Sequence, residues 1–201
     1  MPLRTSAPSR VEVQTGDTAL NVIIENPDEP SQSLVTDSIV GALATIDIIH
    51  HETHEGKTFL ATFFSASYNS GTTMQILLRT AAKYAHLTVY AASGGDARLT
   101  FGEAPTVTLV GSVLGMFNMN RPNVIAPTVL AYHTPTTAGG LALLDELMPG
   151  GRGGSSTGAT VRPQSEWILK ANTDYVLTLT NLSTTAEPGS ITCQWYEAET
   201  A

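Results

Sequence analysis

Residues His50–Gly56 read HHETHEG and place three of the chain's five histidines beside two carboxylates within seven positions. Imidazole and carboxylate are both ligands for zinc, and a Glu among histidines can serve as a general base. The zinc-protease pattern, however, needs His-Glu-x-x-His on a helix, so that two imidazoles one turn apart meet one ion. Here His51-Glu52 is followed by Thr53 and then His54, one residue too soon. His50 and His54 have the right separation, but Ile46–Ile49 ahead of them reads as strand. On a strand His50, Glu52 and His54 share a face with about 6.6 Å between successive positions. That is too long for a compact tetrahedral site without a bend or ligands gathered from several subunits at a trimer axis. The spacing predicts side chains that bond neighbouring strands and loop carbonyls, with Gly56 making the turn. A metal-dependent hydrolase on His50, Glu52 and His54 is the reading against it.

No other stretch offers chemistry. The sequence contains no Gly-x-Ser-x-Gly elbow and no GxxxxGK[ST] phosphate loop, and GGRGG at 150–154 lacks a strand-loop-helix setting. Acid pairs such as Asp145-Glu146 and Glu197/Glu199 carry no positional constraint. The expectation is a non-enzymatic chain without cofactor. The single cysteine, Cys193, leaves no partner for an intrachain disulfide or a Cys-based zinc site, and reads as a small buried apolar residue.

The elements that must hold these residues are short. Charged residues are 14 % of 201, with Lys+Arg 10 against Asp+Glu 18, a net charge of -8 and a pI near 5.0. Phosphate binding needs a basic patch, so nucleic acid is excluded as a partner. The longest apolar run, Val124–Tyr132, is broken by Pro127 and Thr128 and falls far short of the ~20 residues of a membrane helix. The opening MPLRTSAPSR lacks the apolar core of a secretory signal, so a soluble protein made in a cytoplasm is expected.

Short β-branched and aromatic runs punctuated by Gly, Pro, Asn and Ser recur from residue 10 to residue 197. In Asp174–Asn181 (DYVLTLTN), Tyr175, Leu177 and Leu179 share one face; in Ser190–Glu197 (SITCQWYE), Ile191, Cys193 and Trp195 do. Further strands are expected at Arg10–Gln14, Leu20–Glu25, Ala44–His50, Thr58–Phe64, Gln75–Thr80, Ala85–Ala91, Thr106–Val110, Val124–Tyr132 and Glu166–Leu169. Leu34–Ala44 suits strand or short helix. About ten strands at this spacing imply an all-β, two-sheet antiparallel sandwich of the jelly-roll kind. Residues 1–33, rich in Pro, Ser, Thr and acids, read as an extended arm with edge strands, and 34–201 as the sandwich. Within it, 134–164 reads as a long Gly-rich loop. Its Leu141–Met148 segment (LALLDELM) has Leu141, Leu144, Leu147 and Met148 at helical spacing, a contact element or a lid on the end of the sandwich.

In order along the chain, HETHEGKTF (51–59), KYAHLTV (83–89), MFNMNRP (116–122), SEWILKANTDYVLTLTN (165–181) and CQWYEAET (193–200) resemble a family of tailed-bacteriophage virion structural proteins. Some members are similar to head decoration, or cement, proteins that sit as trimers on the capsid; others are tail-associated. The resemblance covers about residues 40–198, and the arm and the 134–164 insertion depart from it. It implies a structural protein of the virion, assembled in the host cytoplasm and seated on the capsid surface. Its implied partners are the major capsid protein and two copies of itself. The alternative is a tail, baseplate or fibre component that touches the host surface. In the matching segments Asn118, Asn120 and Arg121 are contact residues or loop-shaping ones: Asn tolerates left-handed backbone, and Arg can fork onto a carboxylate. Trp167 and Trp195 are expected as core anchors.

Overall fold

The computed structural model describes residues 11–16, 19–24, 32–34, 48–123, 125–150, 159–160 and 166–198. The chain separates into two units, Met1–Asp47 and Ile48–Ala201. In the first, β1 (Val11–Gly16), β2 (Ala19–Ile24) and β3 (Gln32–Leu34) form a three-stranded antiparallel sheet in that order. The stretch 35–44, ambiguous in the sequence, lies outside the described residues.

The second unit opens with α1 (Ile48–His54), followed by β4 (Thr58–Tyr68), β5 (Thr73–Arg79), β6 (Tyr84–Ser93), β7 (Ala97–Glu103), β8 (Thr106–Leu109), β9 (Ser112–Val113) and β10 (Met116–Asn118). Then come β11 (Leu130–His133), β12 (Thr136–Ala138), β13 (Leu141–Met148), β14 (Ala159–Thr160), β15 (Glu166–Leu169), β16 (Asp174–Asn181) and β17 (Glu187–Ala198). One sheet runs β10-β4-β17-β6-β14, with β15 also on β6, and the other runs β13-β7-β16-β5-β11-β9. Eight strands make the frame, and their pairing is nested: β4 with β17, β5 with β16, β6 with β15, β7 with β13, all antiparallel. Outermost partners lie far apart in the chain and innermost ones close, which is jelly-roll connectivity. The fold is thus the all-β sandwich that the alternation implied.

Alternation does the work of assembly. Every second residue of β6 (Ala85, Leu87, Val89, Ala91) and of β17 (Ile191, Cys193, Trp195) points inward, against Met74, Ile76 and Leu78 of β5 and Tyr175, Leu177 and Leu179 of β16. Burying a side chain of this size stabilises by roughly 1.5–3 kcal/mol before its lost entropy is counted. Trp195 lies against Phe59 at 5.8 Å between ring centroids, and Trp167 meets Phe101 edge-on at 5.4 Å, so both tryptophans anchor the core. Cys193 is buried, and burial pushes its thiol up to about 12.

Four expectations need correction. Leu141–Met148 is not a helix but edge strand β13, registered on β7 from Leu141 opposite Glu103 to Met148 opposite Ala97. Its leucine spacing fits both periods, and an isolated eight-residue helix has less to gain than a strand that completes the open edge of β7. A bulge between Ala142 and Leu144 turns Leu144 toward the core beside the out-of-phase Leu143, which is how one segment mimics helical spacing. The long loop at 134–164 accordingly carries β12, β13 and β14. The strand expected over Ala44–His50 is helical from Ile48, its earlier residues lying outside the described ones. The strand expected over Val124–Tyr132, whose Val124 lies outside the described residues, is strand only at Leu130–His133, because the Thr128 and Val129 amides donate to the Glu197 carboxylate and Pro127 has no N–H.

Candidate functional site

The histidine-rich segment is helix α1 plus the turn that leads into β4. Helices leave their last carbonyls unpaired, and here Asn118 at the end of β10 and Asn120 and Asn123 of the loop after it supply donors to the helix end and its turn. Asn118 Nδ2 donates to Gly56 O at 2.7 Å and to Ile125 O at 3.1 Å. Asn120 Nδ2 donates to His54 O at 2.9 Å, and Asn123 Nδ2 reaches Glu55 O at 3.4 Å. The loop is fixed in turn, since Asn118 Oδ1 accepts from Asn120 N at 2.9 Å and Asn123 Oδ1 from Ile125 N at 2.8 Å. Gly56 must be glycine twice over: its φ is 75°, and a Cβ there would overlap the Asn123 amide.

Of the residues the sequence singled out, Asn118 is buried and Asn118 and Asn120 are both engaged within the chain. Arg121 donates from Nη1 to Asn118 O at 3.5 Å and lies 5.7 Å from the centre of the exposed Phe117 ring, so its charge faces outward. The apolar set divides. Met148 is buried and Leu144 packs on the core, whereas Leu141 and Leu147 are 62 % and 69 % exposed along the outer edge of β13. Arg98 of β7 forks onto Asp145 of β13, with Nε to Oδ1 at 2.6 Å, tying that strand down from the solvent side.

The histidines face two ways. His50 Nε2 and His54 Nε2 stand 3.0 Å apart on one face of α1. One residue round the helix, His51 lies 3.5 Å from both Glu52 and Glu55, and donor atoms of these three fall within 4.8 Å of one another. Lys57 already occupies the cation position of that acidic pair, 3.7 Å from Glu52 and in direct contact with Glu55. Its ammonium holds the Glu55 carboxyl below the usual range, and Glu55 raises Lys57 in return. Glu52 therefore turns away from His50 and His54, and the trio named from the sequence does not converge.

Glu197 is the group that sequence reasoning passed over. Only 5 % exposed, its carboxylate accepts from Thr128 N (2.8 Å), Thr128 Oγ1 (2.6 Å), Val129 N (3.0 Å) and Trp195 Nε1 (3.3 Å). These bonds sew β17 to the segment before β11. Its signal in the sequence was an acid two residues after a core tryptophan, on the same inward face. A second carboxylate, Glu103, accepts from Lys170 Nζ at 2.7 Å and Tyr175 Oη at 3.1 Å, and is held below its ordinary value chiefly by the lysine. Burial pushes the Tyr175 phenol up to about 12. Arg79 and Asp174 form a two-pronged pair at 2.7 and 2.8 Å beside an open depression of about 530 Å³ that Ala104 and Asn172 also line. These charged groups are committed to holding strands together. Compared with family models, curated proteins and solved structures, the chain matches none.

Proposed function

We propose that this chain is a non-enzymatic capsid decoration protein of a tailed bacteriophage. In this reading it is a cement subunit that acts as a homotrimer on the outer surface of the virion head, binds the major capsid protein and is assembled in the host cytoplasm. The observation that carries the reading is the edge of the β13 sheet. Among the described residues no strand pairs with the outer side of β13, and Leu141 and Leu147 stand on it in solvent. An unpaired edge with exposed leucines invites another chain by strand addition and apolar contact. The rest suits adhesion to a repeating neighbour: a two-layer body, few charges, and, among the described residues, every buried polar side-chain atom hydrogen-bonded. A shell repeats each modest contact many times, so particle stability grows by multivalency.

Binding of the purified chain to heads stripped of it is the test. Copy number should match that of the major capsid protein, restored heads should resist heat better than stripped ones, and Leu141→Asp with Leu147→Asp should abolish rebinding while the variant stays folded. Stripped heads as heat-resistant as restored ones would end the cement role. The exposed Phe117, Met119 and Ile125 around the asparagine loop favour the second reading, a tail, baseplate or fibre component that touches the host surface. A handful of copies per particle would select it.

A further inference from the structure

The adhesive reading makes no use of His50 and His54, and the strand geometry that argued against a metal there does not hold. Because Ile48–His54 is helical, residues four apart share a face. The two rings lie edge to face, with centroids 4.5 Å apart at 70°, and bring their Nε2 atoms to 3.0 Å. We propose that His50 and His54 form a two-imidazole chelate for a divalent transition-metal ion of the Cu2+ or Ni2+ class, bound through Nε2 of each ring.

The distance supports that class. A metal held by imidazole nitrogens at about 2.0–2.1 Å separates two of them by about 2.9 Å when they subtend a right angle, and by about 3.4 Å in a tetrahedron. The observed 3.0 Å lies nearer the right angle, the arrangement of square-planar and octahedral ions. Both rings are exposed, so an ion can enter with water on its remaining positions. The bond between the rings already requires one facing nitrogen to carry no proton, and the other ring presents a bare Nε2 once its proton sits on Nδ1. The asparagine donors to His54 O and Gly56 O fix the end of the helix turn that sets the bite. The neighbouring cluster of His51, Glu52 and Glu55 is the competitor, and Lys57 distinguishes it: its ammonium holds both carboxylates, whereas among the described residues no cation pairs with His50 or His54.

Calorimetric titration of the full chain with Ni2+, in a non-chelating buffer near neutral pH, reads the site directly. One ion per chain is expected. His50→Ala and His54→Ala should each weaken binding by about 100-fold or more, because even ligand-supporting residues cost 10–100-fold when removed. The double variant should lose little beyond either single one. His51→Ala and the Glu52→Gln/Glu55→Gln pair should bind as the parent does. The positions are exposed, and circular dichroism confirms that each variant is folded. Absence of Ni2+ binding by the parent chain, binding that survives loss of both His50 and His54, or binding lost with His51→Ala would each overturn the proposal.

Discussion

The asparagine loop and the β13 edge are built on opposite principles. Around α1 the conspicuous polar side chains, Asn118, Asn120 and Asn123, turn inward and cap carbonyls of their own chain. On β13 the conspicuous apolar ones, Leu141 and Leu147, turn outward. A reader expecting polar residues to greet partners and leucines to fill the core would assign both regions the wrong way round. Backbone carbonyls at a helix end must be satisfied somewhere, so nearby amides are consumed at home. A strand of a two-sheet sandwich has only one face to bury, so half its side chains are left over whatever their polarity, and at an edge no neighbouring strand flanks them on one side.

The sharpest way to break this contrast is to dissolve the interior that both regions stand on. The Cys193 thiol and the Tyr175 and Tyr196 phenols are pushed up to about 12 by burial, from ordinary values of 9.0 and 10.0. All three are neutral in the folded state at pH values where the unfolded chain has ionised. Their stabilising contribution is therefore complete below pH 9 and is lost as pH rises toward 12. Chemical denaturation followed against pH should show stability constant from 7 to 9 and falling steeply above, with Cys193→Ala delaying the onset toward pH 10.

Next in size is Glu197→Ala, which strips four donors of a buried acceptor and should cost about 3 kcal/mol, a fall in Tm of roughly 6–12 °C for a chain of this length. Asn118→Ala should cost about 2 kcal/mol, with amide exchange quickened at residues 54–57 before the core strands respond. Smallest is Leu147→Ser: within about 0.5 kcal/mol of the parent in denaturant, because the side chain is already in water. If Leu147→Ser destabilised as much as Asn118→Ala, the contrast between an internal clamp and a spare edge would collapse.

What the sequence disclosed follows the strength of alternation. Tyr175, Leu177 and Leu179 mark β16 to the residue, and Glu166–Leu169 is β15 as expected. β7 was missed although it is paired on both sides: Ala97, Leu99 and Phe101 alternate, but Gly102 and the small Ala97 weaken the signal and turn residues crowd its start. Leu141–Met148 reads equally well at either period, and what decides it is the unpaired edge of β7, a fact that belongs to the tertiary structure. The secondary structure of the histidine segment was misjudged for a related reason. Ile46–Ile49 carries strand propensity, yet the helix begins at Ile48, where the turn capped from a loop some 60 residues on stabilises it. Glu197 was visible only as one acid among several, because its donors, Thr128 and Val129, come from 68–69 residues away.

The nested strand pairing also sets an order of events at birth. Thr62 of β4 and Thr192 of β17 hydrogen-bond across 130 positions of chain, and β17 is the plank that joins β4 to β6. As a ribosome extrudes the chain, both neighbours emerge long before the strand that unites them, and wait with the edges that face it unpaired. Maturation should thus be slow, governed by distant closure and dependent on chaperones, and a nascent chain halted before residue 187 should remain protease-sensitive throughout.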